Sequence, residues 1–212
     1  MAPASRPRPQ VFLLSPAYCG GRRAKILLKP NSEAVLAKRL AEGSLTLGEA
    51  FSFLSGLYFR GKLTYARAFG RPGSPKIPPT LVITPTRGLQ PPELPISAAL
   101  IHEFASVDVH EDDARYRVPL ERDLAALAAA LPKTARVVLL GSVATGKYVD
   151  VLTSTLGRRL HYPPSFIGRG DMSRGGLLLR CASAATELDY AVLDERAPRH
   201  GPRPAKLPPL RR

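Results

Sequence analysis

Arg136-Val-Val-Leu-Leu-Gly-Ser-Val-Ala-Thr-Gly-Lys147 decides the fold of this chain. Its first half is a continuous apolar run, which reads as a strand buried on both faces, and its second half is a glycine-bounded turn leading into a helix over 145–156. Two earlier stretches repeat the shape, Val11-Phe-Leu-Leu-Ser-Pro16 and Thr80-Leu-Val-Ile-Thr-Pro85. Buried strands that alternate with helical segments predict an α/β protein, a single three-layer α/β/α sandwich around a mainly parallel sheet.

Outward from those strands, Ser32 to Glu42 places Val35, Leu36 and Leu40 on one face and meets Gly43 at its end. Thr46-Leu-Gly-Glu49 is a capping box that opens a helix through Phe51 and Leu54, interrupted at Gly56. A further helix runs from Leu57 to Phe69 and stops at Gly70 and Pro72. Helices are also expected over Ser97 to Phe104 and Arg115 to Leu131, the latter with Pro119 in its first turn. A strand follows at Arg159 to Tyr162. Leu177-Leu-Leu-Arg-Cys181 and Leu188 to Leu193 read as a C-terminal β-hairpin joined by Ala182 to Glu187. Residues 71–79 and 90–95 are proline-rich linkers. The domain spans 11–195, between a flexible basic arm over 1–10 and a proline-rich basic tail over 196–212 that reads as disordered.

The 212 residues are 44% hydrophobic, enough for one core, and no apolar run reaches the roughly 18 residues that a membrane span needs. The polar, proline-broken beginning is not expected to act as a secretory leader. Cys19 and Cys181 are too few for a disulfide scaffold or a four-thiolate zinc site and fit a reducing compartment, so the expected location is cytoplasmic. Setting aside five cations after Ala197, together with Arg6 and Arg8, reduces the net charge from +14 to +7. That remainder must lie on a folded surface, where it could form a groove for an anion.

Ligands of open parallel sheets bind beyond the carboxyl ends of the strands, so the loops there hold the candidate residues. After the first strand, Gly20 and Gly21 permit a tight turn, and Arg22 and Arg23 could hold phosphate, with a solvated basic loop as the competing reading. Tyr18 offers a stacking face. Cys19 beside these cations could be a thiolate nucleophile or a small core residue. The second strand contributes Arg87. Gly141 to Lys147 matches the glycine, four residues, glycine, lysine portion of a P-loop, but Tyr148 stands where a magnesium-binding hydroxyl belongs, so phosphate contact by Gly141, Gly146 and Lys147 is expected rather than nucleotide hydrolysis. The segment Phe166 to Gly176 sets Arg169, Asp171 and Arg174 among glycines, with Asp171 as a candidate catalytic acid or a structural partner of an arginine. Asp108 to Asp113 lacks regular metal-ligand spacing, His161 reads as structural, and no metal or cofactor is expected.

Leu57-Tyr-Phe-Arg60, Tyr65-Ala-Arg67, Ile83-Thr-Pro-Thr-Arg-Gly-Leu89 and Gly141 to Tyr148 follow one another in an order that resembles an α/β family related to the uracil-DNA-glycosylase-like domains accompanying tRNA-guanine transglycosylases and archaeosine synthases. The resemblance implies a nucleobase- or nucleotide-sized crevice with Tyr58 and Arg60 near it, Tyr58 as a second stacking face. The water-activating acidic motif and the His-Pro motif of active uracil-DNA glycosylases have no counterpart. The resulting expectation is a nucleotide- or nucleic-acid-binding protein with a basic crevice where the named cations converge. Two alternatives stay open: an enzyme acting on a small phosphorylated metabolite or nucleotide, and an interaction module that docks through its proline-rich tail.

Overall fold

The computed structural model describes residues 8–144 and 146–207. Six strands form one sheet in the order β3-β2-β1-β4-β5-β6. β1 (Gln10–Leu14), β2 (Thr80–Ile83), β4 (Arg136–Leu140) and β5 (Leu160–Tyr162) run parallel, and the two short edges, β3 (Leu89–Gln90) and β6 (Ala191–Val192), are antiparallel to their neighbours. The architecture is mixed α/β with a mostly parallel sheet, and the three apolar runs supply its three central strands.

Successive side chains on a strand point to opposite faces. Phe12 and Leu14 of β1, Val82 of β2, and Val138 and Leu140 of β4 enter one apolar core. Val11 and Leu13, Leu81 and Ile83, and Val137 and Leu139 enter the other. The first core is covered by α1 (Arg22–Leu27), α2 (Val35–Ala41), α3 (Leu47–Ser55), α4 (Leu57–Phe69), α5 (Ala98–Ala105) and α8 (Asp171–Ser183). The second is covered by α6 (Ala114–Ala130) and α7 (Gly146–Leu156). Thr46 caps α3 in the expected box, its Oγ1 accepting from the Glu49 N–H at 3.4 Å while Glu49 Oε2 accepts from the Thr46 N–H at 3.0 Å. Among the described residues no helix is long and apolar enough to cross a membrane.

Three sequence expectations are corrected. Leu177 to Cys181 is not a strand of a C-terminal hairpin but part of α8. Gly175 and Gly176 ahead of it each weaken a helix by about 1 kcal/mol, yet Gly175 lets α8 lie against α4. A Cβ at Gly61 would stand 2.6 Å from the Gly175 carbonyl oxygen, and one at Gly175 would stand 2.6 Å from that of Leu57. The strand at 188–193 shrinks to β6, which pairs with β5. Pro119 falls beyond the first turn of α6, because Asp113 caps the helix by accepting from the Arg115 N–H at 2.9 Å. Residues 197–207 carry no helix or strand and follow the body, with Ala197 against the second core and Pro202 beside Gly168.

Candidate functional site

From β1 the chain moves to β2 on one side, and after β3 it returns to β4 on the other. The strand order therefore reverses between β1 and β4, and adjacent connections leave in opposite directions there, opening a crevice. Leu14 stands level with both Val82 and Leu140, so β1 and β4 end together and β2 runs one residue further. The Ser15 N–H still donates to the Leu140 carbonyl at 3.2 Å. Beyond this last ladder bond lies a crevice of about 530 Å³, whose walls include Ser15, Tyr18, Tyr58, Ser142, Lys147 and Asp171. Its size is within the range of small-ligand sites.

The floor holds a pair that sequence reasoning missed. Lys62, on the inner face of α4, is 1% exposed. Its Nζ donates to the Ser15 carbonyl at 2.6 Å and lies 2.9 Å from Ser15 Oγ. The rings of Tyr58 and Phe59 flank it at 4.5 and 4.8 Å. None of the ion pairs among the described residues includes Lys62. Burial pushes its ammonium down to about 7, with Asp171 opposing that shift and Arg174 adding to it. Desolvation dominates because no contacting carboxylate replaces the lost hydration. Beside it the Tyr58 hydroxyl is buried with no hydrogen-bond partner, and burial raises its ionisation well above the ordinary phenol value. A signal for Lys62 existed: it sits four residues after Tyr58 and three before Tyr65, on the apolar stripe of α4.

Of the cations expected to converge, Lys147 alone lines the crevice among the described residues. It stands in the first turn of α7, its ammonium 5.3 Å from the Tyr148 ring. Arg22 opens α1 on the exposed surface, and Arg23 donates to the Phe53 carbonyl at the end of α3 at 3.0 Å. Arg23, Arg60 and Arg67 line a separate groove, so Arg60 is apart from Tyr58. Arg87 is held by both oxygens of Glu103, at 2.7 and 2.6 Å, beside another cavity. Arg169 donates to the Ser165 carbonyl at 2.9 Å and to Ser173 Oγ at 3.1 Å. Arg174 donates to the Phe166 carbonyl at 3.1 Å, lies 3.5 Å from Asp171, and stacks near Phe166 and Tyr58 at the crevice edge.

The glycines serve close packing. A Cβ at Gly141 would come within 3.0 Å of the Ser15 Cβ, so this glycine lets the ends of β1 and β4 approach each other. Gly20 and Gly21 lie under the exposed Tyr18 ring, and Gly146 opens α7. Cys19 reaches the crevice wall but is 3% exposed, and burial pushes its thiol up to about 12, so it is protonated at neutral pH and unsuited to nucleophilic attack. Asp171, at the start of α8, and Asp108 face the same space. The crevice is thus amphoteric rather than uniformly basic: one half-buried lysine, two carboxylates, aromatic surface, and a serine beside a buried amine. No group of His, Cys, Asp and Glu side chains that could hold a metal occurs among the described residues.

No protein-family model, no curated protein and no solved structure matches the chain.

Proposed function

We propose that the crevice between the ends of β1 and β4 binds a small phosphate-bearing ligand of nucleotide size, with Lys147 and the first turn of α7 facing the phosphate and the aromatic surface of Tyr18 and Tyr58 facing an apolar or heterocyclic portion. The observation that carries this reading is the convergence of Ser15, of Ser142 and Lys147, and of Asp171, from three separate segments, on one space at the sheet's switch point. The two apolar cores, one on each face of the sheet, support a three-layer sandwich, in which that space is the ordinary ligand position. The unpartnered Tyr58 hydroxyl supports a ligand with a polar atom at that depth. The resemblance to uracil-DNA-glycosylase-like domains points to the same size of ligand. The free thiols of Cys19 and Cys181 favour a cytoplasmic setting.

A free nucleotide accounts for the crevice better than a long nucleic acid strand. Phosphate tracking along a strand needs a row of unpaired cations, whereas Arg87 and Arg174 are tied to carboxylates and Arg23 to a backbone carbonyl. Thermal unfolding in the presence of a panel of nucleoside mono-, di- and triphosphates and inorganic phosphate tests the proposal. A binder at one hundred times its Kd adds about 2.7 kcal/mol to stability. That gain should vanish in Lys147→Met and persist in Arg87→Ala. Equal stabilisation of wild type and Lys147→Met, or no stabilisation by any of the probes, would overturn it.

A further inference from the structure

The Ser15 and Lys62 pair has a geometry that ligand binding alone does not require. Ser15 lines the crevice, and its Oγ lies 2.9 Å from the Lys62 Nζ, which the Tyr58 and Phe59 rings flank, and at the longer distance of 3.5 Å from the Leu140 carbonyl. A neutral amine has two N–H bonds and one lone pair. One N–H donates to the Ser15 carbonyl at 2.6 Å, and the lone pair can accept the Ser15 hydroxyl proton. The charged groups near this amine are Asp171 and Arg174 of α8, which act in opposite directions, so burial decides its protonation.

We propose that Ser15 is a nucleophile and Lys62 its general base, and that the protein cleaves an activated acyl group, an ester or thioester, on the ligand that the crevice holds. The substrate's phosphate-bearing half rests on the ligand reading above; the reactive pair does not. In the first half-reaction Ser15 Oγ bonds to the acyl carbon while its proton passes to Lys62 Nζ, which becomes an ammonium. The tetrahedral intermediate collapses with cleavage of the bond to the leaving oxygen or sulfur, and Lys62 returns the proton to that atom. Water then adds to the acyl-serine, its proton goes to Lys62, and collapse releases the carboxylic acid and restores the Ser15 hydroxyl with that proton. The sum is acyl ester plus water giving acid plus alcohol or thiol.

Acyl transfer is favoured over phosphoryl transfer by the position of the base. Addition to a carbonyl lets the nucleophile and leaving group depart on the same side, within reach of one amine. In-line displacement at phosphorus sets the leaving oxygen opposite the nucleophile. Lys62 lies behind Ser15, on the wrong side for that proton.

The test is intact-mass measurement and peptide mapping of the full chain after reaction with p-nitrophenyl acetate and, separately, with a fluorophosphonate. Wild type should acquire one adduct on Ser15, at a rate that rises with pH and levels off above a midpoint near 7. Ser15→Ala should acquire none. Lys62→Met should react about a hundredfold more slowly or worse, and the wild-type pH profile makes the case should that variant not fold. Loss of the Ser15 adduct with nucleotide stabilisation intact in wild type would overturn the nucleophile and leave the ligand reading standing. Labelling of another residue, or labelling that is unchanged in Ser15→Ala, would overturn it equally. An adduct on Ser15 without nucleotide stabilisation would uphold the pair and remove the ligand reading.

Discussion

The ends of β1 and β2 are neighbours on one edge of the sheet, yet each holds a cation in a different way. At β2, Arg87 is half exposed and gripped by both oxygens of Glu103, which Thr86 also contacts. At β1, Lys62 is buried, has no carboxylate in contact, and is held by a serine carbonyl and hydroxyl. The first arrangement neutralises a charge where water would have solvated it anyway, and such pairs contribute little. The second keeps an amine where its charged form is disfavoured, and such positions are where reactivity concentrates. Counting cations along the chain therefore does not tell the two apart, although both lie beyond the carboxyl ends of adjacent parallel strands.

The largest expected effect comes from disturbing the helix that brings Asp171 and Arg174 to the crevice. Gly175→Val would press a side chain into the Leu57 backbone and should cost about 3 kcal/mol or more, read as a drop in the denaturation midpoint. The same substitution at the neighbouring Gly176, whose nearest contact is 3.9 Å away, should be much milder.

Next is pH. An unfolded lysine titrates near 10.5, whereas Lys62 in the folded protein titrates at about 7. Between these values the unfolded chain binds the extra proton, so stability rises with pH, by at most about 1.4 kcal/mol per pH unit for one proton. From pH 7 to 9, urea titrations should show wild type gaining about 2 kcal/mol relative to Lys62→Met, and below pH 7 the difference should be constant. A difference independent of pH over that window would mean that Lys62 stays charged.

Tyr58→Phe removes a hydroxyl that is buried without a partner, so stability should hold or rise by up to about 1 kcal/mol while nucleotide affinity falls. Smallest of all, Arg87→Ala should change stability by less than about 1 kcal/mol and leave ligand-induced stabilisation intact, since its ion pair is solvated.

Much of the scaffold was legible. The three apolar runs became β1, β2 and β4 because continuous apolar side chains need cover on both faces, and Thr46 with Glu49 marked the start of α3 without any tertiary information. What escaped depended on distant partners. The helicity of Leu177 to Cys181 follows from the approach of Gly175 to Gly61 across α4, and no local pattern encodes it. α1 is six residues and β3 two, too short for periodicity to show. Tyr18 and Lys147, both singled out in the loops beyond the strands, line one crevice, but the arginines named with them do not. Nothing near Arg87 in sequence announces Glu103, and nothing near Arg23 announces the Phe53 carbonyl. Lys62 was overlooked although a lysine on the apolar stripe of a helix is itself a signal, since such a residue must find a partner or lose its proton.

Chemical-shift mapping tests most directly whether the molecule's ligand site is at the switch point. With the backbone amides assigned, a nucleotide identified by thermal shift is titrated into the labelled protein. Saturable changes are expected at Ala17, Ser142, Lys147 and Asp171, with Glu103, Arg87 and Arg60 unmoved. Changes confined to the surfaces around Arg87 and Glu103, or around Arg23, Arg60 and Arg67, would contradict it.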